Sequence, residues 1–120
     1  MDAILKLADQ LGKAIADAQA AENLRTAREA MHADGETMEL LKSFMAKSAE
    51  FNERLQKQQP IEPADKHAMN DLQSSVAAKD TFKTFNAAQV EYVDLMRRVS
   101  QTILTHLRTV DGPMTPPEEA

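Results

Sequence analysis

The chain has 120 residues, enough for one domain, with a net charge of −5 and no cysteine. The missing thiols exclude disulfides, thiol nucleophiles and thiolate metal sites, and they suit a reducing compartment. Aromatic residues make up only 4% of the chain. A single copy therefore has a thin core, and burial is expected to be completed by a homodimer or higher homo-oligomer.

The opening stretch, MDAILKLADQLGKAIADAQ, has acids at Asp2 and Asp9 and no unbroken apolar run. It reads as neither a signal peptide nor a membrane span, so a cytoplasmic location is expected. A first helix is expected from about residue 2 to 18. Its apolar stripe is Ile4, Ala8, Leu11, Ile15 and Ala18, and Asp2 is placed to cap its start. Gly12 flanks Leu11 and is either a tolerated helix glycine or a point of close approach by another helix. A second helix spans about 21 to 33, with Leu24, Ala27 and Met31 on its buried side.

Asp34 is a good N-cap for a third helix, and Glu36 and Glu39 suit the positive end of that helix's dipole. The third helix runs from about 35 to 58. Leu41, Phe44, Ser48, Phe51 and Leu55 repeat 3-4-3-4, as in a coiled-coil seam, and Met38 and Met45 widen the stripe. Pro60 and Pro63 then build a loop, with Pro63 fit to be the first residue of a fourth helix to about 78. Asp65, Met69, Leu72 and Val76 share a face of it. Asp80 is placed to cap the fifth and longest helix, from about 81 to 110. There Phe82 and Phe85 lead into Tyr92, Met96, Val99, Ile103, His106 and Val110, and a flanking stripe lets the helix pack against two neighbours. From Asp111 the sequence turns acidic and proline-rich, the composition of a disordered tail.

The fold class is thus all-α: a bundle of about five helices, two of them long. The candidate contact residues, as core seam or interface, are Leu41, Phe44, Phe51 and Leu55 on the third helix and Tyr92, Met96, Val99 and Ile103 on the fifth. No constellation for catalysis or cofactor binding emerges. His32, His67 and His106 are scattered, without an HExxH pattern. Glu91 and Asp94 lack the Glu-x-x-His partners of helical metal sites and read as a solvated face. There is no phosphate-binding glycine loop and no GxSxG serine. The longest basic run is Arg97-Arg98, so no direct nucleic-acid or membrane partner is expected.

Four stretches carry a likeness: LADQLGKAIADAQ, the EAMHADGE joint, LLKSFMAKSAEFNERLQKQQ before the proline loop, and TFKTFNAAQVEYVDLMRRVSQTI. Together, from about Ile4 to Leu107, they resemble the bacterial YlbF/YmcA family, and within it the YheA-like branch. The resemblance implies a compact helical bundle that oligomerises and works as a regulatory subunit in a larger protein complex. In some members the complex governs competence, sporulation and biofilm development, is linked to RNA processing through an endoribonuclease, and carries an iron–sulfur cluster. A cysteine-free chain lacks the thiolates such a cluster needs, so no cofactor is expected here. The function expected is therefore that of a non-catalytic regulatory adaptor. The alternative is a chaperone-like protein holding a client segment against exposed Met38 and Met45.

Overall fold

The computed structural model describes residues 1–112, and among them no strand occurs. The helices are α1 (Asp2–Ala16), α2 (Gln19–Ala33), α3 (Gly35–Gln56), α4 (Pro63–Ala77), α5 (Asp80–Thr105) and the single turn α6 (Arg108–Asp111). The five expected helices are present. The extra element arises because the fifth does not run unbroken to residue 110.

Near that break Thr102 Oγ1 donates to the Arg98 carbonyl at 2.8 Å and Thr105 Oγ1 to the Gln101 carbonyl at 2.8 Å. Such back-bonding competes with the helical ladder and bends it. The next amides, of His106 and Leu107, then bond three residues back, to Ile103 and Leu104, and the helix closes. His106 becomes the exposed C-cap residue of α5 rather than part of a packed stripe. Asp111, expected to open the tail, instead closes α6 with Gly112 after it, and the remaining residues of the expected tail, 113–120, lie outside the described residues.

Two helix starts differ by one residue from expectation. Met1 and Lys79 occupy the cap positions of α1 and α5 without a side-chain bond, and Asp2 and Asp80 sit in the first turns. There they still complement the helix dipole. α1 also ends earlier than expected: Ala18 is extended, and α2 starts at Gln19, which lets Ala20 and Ala21 be buried.

The helices form two antiparallel pairs. α2 lies along α5, with Leu24, Ala27 and Ala88 buried together and Phe85 and Tyr92 packed on them. Alanines at the contact allow the two axes to approach closely. α3 lies along α4, tied near the hairpin by Arg54 to Asp65 at 3.0 Å and Lys47 to Asp65 at 3.8 Å. Asp65 thus serves the pair by charge, while Val76 is buried at the opposite end. Pro63 opens α4 as expected.

The pairs meet at a polar corner. Asp34 caps α3 by accepting the Thr37 amide at 3.3 Å and the Thr37 hydroxyl at 2.8 Å, and it also accepts the Thr81 hydroxyl at 2.9 Å. The two threonine hydroxyls lie 3.1 Å apart, and Thr37 is 0% exposed. Lys79 pairs with Glu36 across the same joint.

The result is open, not compact. The radius of gyration is 20.6 Å, against about 14 Å for a compact domain of this length. The extents are 56 × 45 × 21 Å, and the smallest is two helices thick. The compactness implied by resemblance is therefore absent from the single chain.

The corner hydrogen bonds, first from the Thr37 hydroxyl, then from Thr81 and the Thr37 amide, hold the Asp34 carboxyl below the usual carboxylate range, with Lys79 adding to them against a partial opposition from burial. A lowered folded pKa means stability that is fully present above the ordinary aspartate range and is lost as pH falls through the folded value. Asp34→Asn is expected to be less stable than the parent near neutral pH, with the gap closing as acid is added. Urea midpoints taken across the acid range check this. A gap that stays constant would refute it.

Candidate interaction surfaces

Each of the two predicted seams begins as packing and ends as surface. On α3, Leu41 and Phe44 are half-buried and line an apolar recess of about 230 Å³ with Gln73, Val76, Ala77 and Phe82. Phe51, two turns further on, is half-buried, and Leu55 is 62% exposed. On α5, Tyr92 packs on the α2 cluster, Met96 and Val99 are half-buried, and Ile103 is 46% exposed. The seams therefore do not divide into one core and one interface. Both are packed near the corner and free toward the far ends of their pairs.

Helix length explains the gradient on α5. α2 has 15 residues and α5 has 26, about 22 Å against 39 Å. Leu24 and Ala27 stand with Tyr92 and Ala88. The antiparallel register therefore runs α2 out near Met96, and the face continues with nothing from α2 against it.

Three features go beyond the sequence pattern or decide between its readings. First, α1 has no buried residue, although its stripe is regular: Ile4 is 67% and Leu7 66% exposed. A stripe at period 3.6 signals an apolar face, but not that the same chain covers it. Secondly, a Cβ placed on Gly12 would meet nothing within 4 Å, so no helix approaches there. Thirdly, Met45 is 66% exposed, where a buried position was expected, while Met38, Met69 and Met96 are half-buried.

Charge on these surfaces is mostly settled locally. Arg97 and Arg98 both reach Asp94, at 2.6 and 2.9 Å. The Arg97 hydrogen bond is the chief cause that keeps the Asp94 carboxyl below its usual range; burial opposes it and both guanidinium charges add to it. All three histidines are exposed and apart. Among the described residues no group of three or more His, Asp or Glu side chains converges on one point that could hold a metal. No helix is long and apolar enough to cross a membrane, again among the described residues.

The open helical pairs with half-finished seams define a class of all-helical protein whose features lie on surfaces rather than in an enclosed cleft. Comparison with known proteins places it further. The sequence profile of the family described as control of competence regulator ComK, YlbF/YmcA, matches residues 4–108. The chain belongs to the YlbF/YmcA family. No curated protein matches it significantly in sequence. Among solved structures, Bacillus subtilis RicA in complex with RicF is similar, with a TM-score of 0.76 at 22% identity over 88% of this chain and 94% of that one. At that identity the likeness is one of fold.

The graded seams predict graded mutational effects. Tyr92→Ala removes a ring packed on the α2 cluster and is expected to destabilise by about 2 kcal/mol. Leu55→Ala, on an exposed side chain, is expected to stay within about 0.5 kcal/mol of the parent. Denaturant unfolding of the two variants checks both. Equal losses would show that the seam on α3 is packed to its end.

Proposed function

We propose that this protein is a non-catalytic regulatory adaptor of the cytoplasm, which assembles with itself and docks on a larger protein complex. The observation that carries this reading is the run of both seams from packed or half-buried positions onto exposed apolar surface within one chain. Exposed contiguous apolar faces on a helical protein are commonly places where other proteins bind. Membership of the YlbF/YmcA family supports the reading. So does the related fold of RicA, which has been solved in complex with RicF.

The partner class proposed is protein, not nucleic acid, because the longest basic run is occupied by Asp94. No cofactor is proposed. The absence of cysteine supports a place in a cluster-free branch of the family, YheA-like, rather than among members that hold an iron–sulfur cluster.

One observation favours a second reading. Met45 stands outward on α3, as a client-holding surface would require. Suppression of aggregation of an unfolded client would support that reading, and no effect on several clients would remove it.

The adaptor reading is tested by affinity capture of the tagged protein from its native cell, followed by mass spectrometry. A defined protein assembly is expected, enriched with the parent chain and depleted by at least about tenfold with a Phe51→Glu, Leu55→Glu double variant that still folds, the loss expected when central contacts are removed. Capture of the chain alone, at native abundance, would count against docking.

A further inference from the structure

Two unfinished apolar faces lie toward the same end of the α2/α5 pair. On α1, Ile4, Leu7 and Leu11 follow each other at helical spacing and are 67, 66 and 37% exposed, with Leu5 at the edge. α1 meets the rest of the chain through its last turn, around Ile15 and Ala16. On the far part of α5 and on α6, Ile103, Leu107 and Val110 are exposed, with Leu104 beside them.

We infer that these faces are mates: α1 of one copy lies on the distal α5–α6 face of a second copy, and the reverse contact is made at the same time. This rests on the self-assembly part of the adaptor reading and adds to it the surface and the partner.

Four observations select a second copy. The first is area. A partly exposed large aliphatic side chain offers roughly 80 Å² to a partner. α1 pairing only with α1 of another copy would bury roughly 650 Å² in total, the size of an incidental contact. The reciprocal arrangement uses both faces on both copies and buries roughly 1,300 Å², within the range of specific interfaces.

The second is length. α1 has 15 residues, about 22 Å, and the stretch from Met96 to Val110 is of the same length. The third is charge. Asp2, Lys6, Asp9 and Lys13 fall on the side of α1 opposite its stripe, and Asp9 and Lys13 pair there at 3.2 Å. Arg97 and Arg98 are turned to Asp94. The α1 stripe carries no charged side chain, and the ions nearest the distal face are Arg108 and Asp111 of α6, at the rim of the recess that Leu104 and Leu107 line. The fourth is connection. α1 joins α2 through Asp17 and Ala18 alone, and with this short link both Ile4 and Leu7 of α1 and Ile103 and Val110 beyond α2 stay exposed in the single chain. A short hinge that keeps a helix from its own site favours exchange with a second copy.

The test uses the whole chain, which has no native cysteine. Two single variants, Ala8→Cys on α1 and Ser100→Cys on α5, are given different tags, mixed, and treated with a short bismaleimide. Any product joins two chains. The expected result is a mixed α1-to-α5 product in excess of either self-product. Light scattering of the parent is expected to give twice the chain mass of 13.3 kDa. Leu7→Glu and Ile103→Glu, each exposed in the single chain, are expected to give the single mass with helical circular dichroism unchanged. A parent that is monomeric at every concentration overturns the inference, and native-cell capture then judges docking separately. A persistent dimer in both glutamate variants, or a cross-link only between two copies of Ala8→Cys, also overturns it.

Discussion

The carboxylate of Asp34 holds the shape of this molecule. It caps α3 and takes a hydroxyl from the first turn of α5, while the backbone N–H of the same residue bonds the Met31 carbonyl at the end of α2, so three helices meet at one residue. Thr37 is the fully enclosed side chain among the described residues, and the bonds it makes are polar. A buried hydroxyl must be satisfied, and few geometries satisfy this one. The corner therefore specifies how the α2/α5 pair is set against the α3/α4 pair, although neither pair relies on it for its own contacts. Apolar packing supplies affinity within each pair; the hydrogen bonds supply the angle between them.

With the angle set, helix length decides what stays open. The α2/α5 pair is packed outward from the corner until the shorter helix ends. α2 stops short of α5 by more than two turns, and the α5 face that held Phe85, Ala88 and Tyr92 continues as Met96, Val99 and Ile103 with declining burial. In the α3/α4 pair Phe44 and Phe51 stay half-buried up to the hairpin, and Leu55 beside it is exposed. A layer two helices deep gives every helix a second side facing water. The exposed apolar groups are thus a consequence of architecture and not of scattered surface substitutions.

Much of this was legible in the sequence, and the rest failed for identifiable reasons. Helical periodicity located all five longer helices, and the Asp34 and Pro63 signals marked true starts because each acts within a few residues. Leu24, Ala27 and Met31 were correctly read as buried. The break after Thr105 was missed because Thr102 and Thr105 bond to carbonyls while leaving the apolar period intact. Thr37 and Thr81 were missed because their contact spans more than forty positions and neither interrupts a pattern. The stripe of α1 was seen, but periodicity reports which face is apolar and not which chain covers it. The eight seam residues follow the helical period; how burial changes along them needed the helix register.

An enzyme site is commonly concave, drawn from several elements and able to exclude water. A sheet of helices two layers deep has difficulty meeting that condition, since each groove between two helices opens to solvent along its length. The shallow channel between α2 and α5, lined by Asn23, Thr26, Ala27, Ala30, Thr84 and Ala87, is of this kind. Such a channel suits another helix, because small side chains form a groove into which a ridge can settle. A helix settling there would cover apolar surface that is already ordered, so little conformational entropy would be lost on the side of this chain.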